Sequence, residues 1–199
     1  MSKGGLYLAI GSSLTWCNYE NGATGDDIYP WKLYNAIKAN YGAIKYVNKG
    51  LGGNNSDDCL ANSYWNTNFN ADLVTIALGS NDSANGAIPI ARYITNIEAV
   101  IDKLRAKNPN VIIIICTPQQ VNETSRNPYV QSYRDACVAI AANKNCAVCD
   151  FSQAYTFAQV GTYTTDGIHA NKAGHALIHN VLWPVVQNVA SSWLGGLEN

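Results

Sequence analysis

The chain has 199 residues, a length that suits one domain (residues 1–199) with a single buried core. Thirteen basic and 14 acidic residues leave a net charge of −1, and no basic run occurs, which argues against a nucleic acid or an anionic membrane as the partner. Charged residues make up only 14% of the chain, so its polar but weakly charged surface suits neutral ligands such as sugars, although a lineage-specific composition explains the same bias.

Short apolar runs alternate with longer helical stretches along the chain. The runs predicted as strands are Leu6–Ile10, Ile44–Asn48, Leu73–Leu78, Val111–Cys116 and Ala147–Asp150. The stretches predicted as helices are about Trp31–Tyr41, Ile90–Lys107, Tyr129–Asn143 and Lys172–Trp193, the last of which Pro184 should bend or interrupt. Short strands that are apolar on both faces are typical of a parallel sheet covered by helices. The alternation therefore predicts an α/β three-layer sandwich with a central parallel sheet of about five strands.

The first segment with chemical content is 11–15, Gly-Ser-Ser-Leu-Thr, directly after the first predicted strand. In open parallel sheets, ligands bind beyond the carboxyl ends of the strands. Ser13, two residues after the strand-ending glycine, projects its hydroxyl into that crevice. A plain polar turn is the alternative interpretation.

A second segment, Asp-Gly-Ile-His, places Asp166 and His169 three residues apart just before the final helix. At this separation a carboxylate can accept a hydrogen bond from one imidazole nitrogen while the other nitrogen faces a serine hydroxyl. A helix cap explains the same residues. His175 and His179 have a spacing that also occurs in metal sites, but the glutamate of a zinc-protease helix is missing, so we expect no metal.

Two further segments follow the third and second predicted strands. Asn81, in Gly-Ser-Asn-Asp, offers a side-chain amide that can donate to a developing oxyanion, and a turn asparagine is the alternative. The segment 48–56 carries three glycines that let backbone amides approach a ligand closely. It has neither spacing of a phosphate-binding loop, which argues against a nucleotide-binding domain of similar architecture.

Together these four segments resemble the SGNH (GDSL-like) hydrolase superfamily, in family order and from about Leu6 to Trp193. The resemblance implies a flavodoxin-like fold and a serine esterase without a cofactor. It implies a catalytic triad of Ser13, Asp166 and His169. The implied oxyanion hole consists of the amide of Ser13, the amide of Gly53 (with Gly52 as the fallback) and the side chain of Asn81.

The chain departs from the family pattern at Ser12, where the family usually has aspartate before the nucleophile. That aspartate is not a catalytic group, but it would help to shape the surroundings of the nucleophile. Its replacement would lower activity, shift the pH profile or mark a chain that has lost catalysis. It also makes Ser12 a rival nucleophile, although the spacing to the following Leu-Thr favours Ser13.

Loop aromatics are the candidate substrate-binding residues, because aromatic rings can stack on sugars. They are Trp16, Tyr19, Tyr64, Trp65 and Tyr163. With the low charge, they favour a short-chain, chiefly acetyl, ester of a carbohydrate as the partner over a lipid ester. Aryl esters, thioesters and a non-catalytic glycan-binding module are the alternatives, and loop packing is the structural explanation of the same aromatics.

The six cysteines carry no metal or redox pattern that we expect to be functional. Cys116 ends an apolar run and is predicted to be a core residue, while one or two disulfides stay open. No apolar stretch is long enough to span a membrane, and the N-terminal residues are too few for a signal peptide. Secretion, a virion or a larger multidomain protein all fit, as do a monomer and a small homo-oligomer.

Overall fold

The structure is a computed structural model that describes residues 5–16, 25–63, 65–66 and 70–194. The strands are β1 (Leu6–Gly11), β2 (Lys45–Gly50), β3 (Leu73–Ala77), β4 (Ile112–Cys116) and β5 (Ala147–Cys149). The helices are α1 (Tyr29–Tyr41), α2 (Ser56–Asn62), α3 (Ile90–Lys107), α4 (Val130–Asn143), α5 (Val160–Tyr163) and α6 (Lys172–Leu194). All strand pairs are parallel, in the order β2-β1-β3-β4-β5. The predicted fold class is confirmed.

Helices cover both faces of the sheet, which is why its strands are apolar on both sides. Leu8 and Ile10 of β1 face a core shared with α2, α3 and α4. Tyr7 and Ala9, which alternate with them, face a second core shared with α1, α5 and α6. Because successive side chains of a strand point to opposite faces, one short strand supplies both cores.

The strand order brings the predicted site segments to one edge of the sheet. β1 lies between β2 and β3, so the chain leaves β1 toward one side and returns on the other, which creates a switch point. Gly11 at the end of β1 pairs with Gly50 of β2 and with Ala77 of β3. The loops that follow these three strands are therefore direct neighbours.

The element boundaries differ from the prediction by at most a few residues, with two omissions. Helices α2 and α5 were not predicted, because seven and four residues are too few for a clear helical period. Of the bend or interruption predicted at Pro184, the interruption does not occur, since α6 is one 23-residue helix. No helix in the described part of the chain is long and apolar enough to cross a membrane.

The described cysteines are free thiols. They are Cys59, Cys116, Cys137, Cys146 and Cys149. Cys116 is a buried core residue, as predicted. Cys17 lies outside the described residues.

Candidate active site

A tight turn after β1 presents Ser13. The carbonyl of Ser12 accepts hydrogen bonds from the amides of Thr15 (3.0 Å) and Trp16 (2.9 Å), which closes the turn. Glycine is required beneath it, because a Cβ at Gly11 would lie 2.1 Å from Thr15 Oγ1 and one at Gly50 would lie 2.3 Å from the Trp16 nitrogen. The turn therefore sits directly on the ends of β1 and β2.

Ser13, His169 and Asp166 form one chain of hydrogen bonds across the crevice. The Ser13 Oγ atom lies 3.0 Å from His169 Nε2, and His169 Nδ1 lies 2.6 Å from Asp166 Oδ2. Ser13 and His169 are 156 residues apart in sequence. They meet because the turn after β1 and the loop before α6 lie at the same edge of the sheet. Ser12 is only 5% exposed, and the imidazole is hydrogen-bonded to the hydroxyl of Ser13.

The carboxylate of Asp166 has a second task, since its Oδ1 atom accepts the amides of Ile168 (3.0 Å) and His169 (2.8 Å). Partial burial raises the pKa of Asp166, but the hydrogen bonds from His169 and Ile168 outweigh it and lower the pKa below its usual value. An ionised carboxylate only accepts, so Nδ1 of His169 must donate to it. In the neutral ring, Nε2 is then left to accept the proton of Ser13.

Asn81 and the loop after β2 are joined by a hydrogen bond from Asn81 Nδ2 to the carbonyl of Asn54 (2.9 Å). Gly53 has φ +75°, in the left-handed region that favours glycine, and a Cβ there would meet nothing within 4 Å. Beside them, the buried carboxylate of Asp82 accepts the amides of Ser56 (2.9 Å) and Gly79 (3.1 Å). The two predicted oxyanion segments are therefore held together by polar contacts.

Residues 9–177 match the family described as GDSL-like Lipase/Acylhydrolase. The chain belongs to this family. A GDSL esterase/lipase of Arabidopsis thaliana is 24% identical to this chain over 53% of it, and the chain spans about half, 54%, of that relative. Among solved structures, the lipase/acylhydrolase from Enterococcus faecalis superposes with a TM-score of 0.77 at 19% identity, covering 92% of this chain and 96% of that one. An acetylxylan esterase, Axe2 from Geobacillus stearothermophilus, gives a TM-score of 0.71 at 20% identity, covering 94% and 96%.

In this GDSL-like chain, the loop between β4 and α4 contacts the loop that carries Asp166 and His169. Gln119 Nε2 donates to the carbonyl of Ile168 (2.9 Å), and the amide of Asn122 donates to the carbonyl of Gly167 (3.1 Å). The loop is itself fixed by the buried Arg134, which donates to the carbonyls of Pro118 (2.9 Å) and Gln119 (2.6 Å). Sequence reasoning missed these residues, because their partners are backbone carbonyls that no local pattern reveals.

Asn48 is another missed residue, although it opens the glycine segment noted in the sequence. Its Nδ2 donates to the carbonyl of Thr15 (2.7 Å), and its Oδ1 accepts the amide of Gly50 (2.8 Å). One side chain thus ties the end of β2 to the turn that presents Ser13. A polar residue at the end of the predicted strand was the available signal.

The candidate aromatic residues fall in different environments. The indole of Trp16 is 45% exposed and covers Gly52, whose Cβ position would be 3.0 Å from two ring carbons. Tyr163 is half-buried, with its ring 5.7 Å from that of Tyr155. Tyr19 and Tyr64 lie outside the described residues.

The prediction that Trp65 binds substrate is wrong. Its side chain is 1% exposed, and Nε1 donates to the carbonyl of Cys59 (2.9 Å). It lies with Ala71 and Val111, which precede β3 and β4, so it is at the opposite edge of the sheet from Ser13. The large ring fills the core there and cannot contact a ligand in the crevice.

His175 and His179 are structural residues of α6. The Nδ1 atom of His175 accepts the amide of Tyr29 (3.3 Å), and burial lowers the pKa of His175 to about 4. His179 stacks on Trp183, with ring centroids 6.4 Å apart. Within the described ranges, no group of three or more His, Cys, Asp or Glu side chains could hold a metal ion.

Proposed function

We propose that the chain is a serine esterase that hydrolyses short acyl, chiefly acetyl, esters of carbohydrate. The observation that carries the proposal is the unbroken hydrogen-bond chain from Ser13 through His169 to Asp166. A nucleophile, a base within reach of it and a group that orients the base are the parts that nucleophilic acyl transfer requires.

In the first half of the reaction, Nε2 of His169 takes the proton of Ser13 as Oγ attacks the ester carbonyl carbon. Asp166 holds the imidazole in the required tautomer and stabilises the imidazolium. When the tetrahedral intermediate collapses, the bond to the alkoxy oxygen breaks and His169 protonates the departing alcohol. The acyl group is then bound to Ser13.

In the second half, His169 takes a proton from a water molecule, which attacks the acyl carbonyl. The bond to Ser13 breaks, Oγ regains its proton from His169, and the carboxylic acid leaves. The negative charge of each tetrahedral intermediate is stabilised by the amides of Ser13 and Gly53 and by the Asn81 side chain. Removal of one such donor typically costs about 3–4 kcal/mol of barrier.

The carbohydrate part of the proposal is supported by Trp16 and by the weak charge of the chain. An exposed indole next to the glycine loop offers a flat apolar surface beside the nucleophile turn, and a neutral sugar ester needs no charged partner. The fold is shared with an acetylxylan esterase, which is consistent with such a substrate.

The test is hydrolysis of p-nitrophenyl acetate, butyrate and octanoate, followed by acetylated xylo-oligosaccharides and a lysophospholipid. We expect turnover that falls steeply with acyl length and is lost in Ser13→Ala. Ser12→Ala is the matched control and should keep most of the activity, because the imidazole is bonded to Ser13. Preference for octanoate would contradict the acetyl assignment. Folded protein that hydrolyses no ester but binds the oligosaccharide would identify a glycan-binding module.

A further inference from the structure

Arg126, in the loop between β4 and α4, contacts the side chain of Asn81. We propose that Arg126 is a positioning residue that fixes and polarises the Asn81 amide so that one N–H is always presented to the oxyanion. The inference rests on the proposed function, because that function gives Asn81 its role as a donor.

Arg126 is held on three sides, so its guanidinium has a defined position. Nη2 donates to Asn81 Oδ1 (3.3 Å), Nε donates to the carbonyl of Ser80 (3.1 Å), and Nη1 donates to Glu123 Oε2 (2.8 Å). The side chain is only 18% exposed. Nη1 also donates to Ser125 Oγ (3.5 Å), and the contacts to Ser80 and Asn81 go to the segment that follows β3.

The chemistry of the partners dictates the orientation of the Asn81 amide. A guanidinium only donates, and the carbonyl of Asn54 only accepts. Oδ1 of Asn81 must therefore face Arg126, while Nδ2 faces Asn54. One hydrogen of Nδ2 goes to that carbonyl, and the other has no partner among the described residues and can face a ligand. A rotated amide would set two oxygens against each other at Asn54 and would turn a lone pair toward the developing negative charge.

The charge of Arg126 also strengthens the donor. A cation that binds the carbonyl oxygen of an amide withdraws electron density from the amide nitrogen. The N–H groups of that amide then become stronger hydrogen-bond donors. Hydrogen bonds that involve an ionised group are roughly twice as strong as neutral ones. Glu123 keeps the guanidinium in place. Hydrogen bonds from Ser125, and then from Arg126, lower the pKa of Glu123, so that its carboxylate stays ionised at neutral pH.

The experiment compares Arg126→Met and Arg126→Lys with Arg92→Met as the matched control. Arg92 is an exposed arginine on α3 that also makes an ion pair, with Asp57 (2.7 Å). With p-nitrophenyl acetate we expect Arg126→Met to lower kcat about tenfold with KM changed less than about twofold, because a donor used only in the transition state is weakened. The kcat of Arg126→Lys should lie between those of Arg126→Met and the parent protein, and the kcat of Arg92→Met should match the parent.

A double-mutant cycle with Asn81→Ala separates positioning from a general structural role. If Arg126 acts through Asn81, Arg126→Met costs almost nothing in kcat once Asn81 is alanine. Equal losses in both backgrounds, or a loss that follows the fall in thermal midpoint, would overturn the assignment. Should Arg126→Met fail to fold, the same cycle is run with Arg126→Lys, which keeps the charge but not the three-sided contacts.

The two levels of proposal fail differently. If Ser13→Ala or Asn81→Ala leaves turnover unchanged, or the parent protein hydrolyses no ester, the proposed function fails and the role of Arg126 fails with it. If Ser13→Ala and Asn81→Ala behave as expected while Arg126→Met matches Arg92→Met, only the positioning role is wrong.

Discussion

The parallel strands give the sheet a carboxyl edge, where the strands end, and an amino edge, where they begin. Different interactions hold the two edges together. At the carboxyl edge, polar side chains such as Asn48, Asp82 and Asp166 bond to the backbone of neighbouring loops. At the amino edge, Trp65 closes the core by filling space against Leu8 and its neighbours. Directional bonds set the positions of groups to fractions of an ångström, whereas packing mainly supplies stability. Substitutions at the two edges should therefore affect different measurements.

The largest expected effect is on turnover at the carboxyl edge. Asp166→Asn should lower kcat for p-nitrophenyl acetate by about a thousandfold or more, because a neutral amide no longer fixes the reactive tautomer of His169. The Oδ1 atom of the introduced asparagine can still accept hydrogen bonds from the amides of Ile168 and His169, so the thermal midpoint should change little. Steady-state kinetics and thermal unfolding of the same preparation check both statements. A large fall in stability with kcat retained would contradict the view that the carboxyl edge mainly determines turnover.

At the amino edge we expect the opposite. Trp65→Ala removes a fully buried ring and should lower the free energy of unfolding by about 3–5 kcal/mol. The activity of each folded molecule should stay close to that of the parent protein, since the ring lies at the far edge from Ser13. Denaturant unfolding and turnover normalised to active sites give the two numbers. A marked change in KM would mean that the edges are coupled.

His175 is an exception at the carboxyl edge, because it is buried beside Tyr29 and its protonation should change stability. Its pKa of about 4 in the folded protein lies below 6.5, so the unfolded chain binds more protons between these values. The free energy of unfolding should therefore rise with pH from about 4 to 6.5, by about 3 kcal/mol.

His175→Gln removes this titration, and denaturant unfolding between pH 4.5 and 7 should then show a much shallower slope. His179→Gln is the control, with a smaller change, since His179 is only half-buried. An unaltered slope in His175→Gln would contradict the assignment.

The smallest expected effect concerns Trp16. Trp16→Ala should raise KM for an acetylated xylo-oligosaccharide several-fold while KM for p-nitrophenyl acetate stays nearly constant, because stacking on a sugar contributes about 0.5–1.5 kcal/mol. Trp16→Phe keeps a ring and is the matched variant. Equal changes for both substrates would argue for loop packing instead of sugar binding.

The sequence was informative where structure depends on contiguous residues. Five strands and four long helices follow from the periodicity of apolar residues, and Ser13, Asn81 and His169 stand in short segments at strand or helix ends. Arg126 and Arg134 could not be found in this way. Arg126 contacts Asn81, which is 45 residues away in the chain, and Arg134 contacts two carbonyls that are 15 and 16 residues away.

Other elements were missed or misplaced for different reasons. The misplaced Trp65 shows that an aromatic residue in a loop does not reveal which edge of the sheet it joins. Helix α2 did carry a signal in the sequence, because Asn55 and Asp58 have the three-residue spacing of a capping box. In the structure they form its reciprocal hydrogen bonds at the start of the helix.

The buried thiols have a practical consequence for measuring how often this molecule opens. Burial raises the pKa of Cys137 and of Cys149 to about 12, and Cys59 and Cys116 are also buried. The thiolate is the species that reacts with disulfide reagents, so in the closed molecule these sulfurs are nearly inert. In a variant with Cys17 and the partly buried Cys146 replaced by serine, the slow release of thionitrobenzoate from Ellman's reagent measures how often the buried thiols become exposed. Cys137 lies on one side of the sheet and Cys149 on the other, so replacing the cysteines of one side lets the rate report the opening of the other.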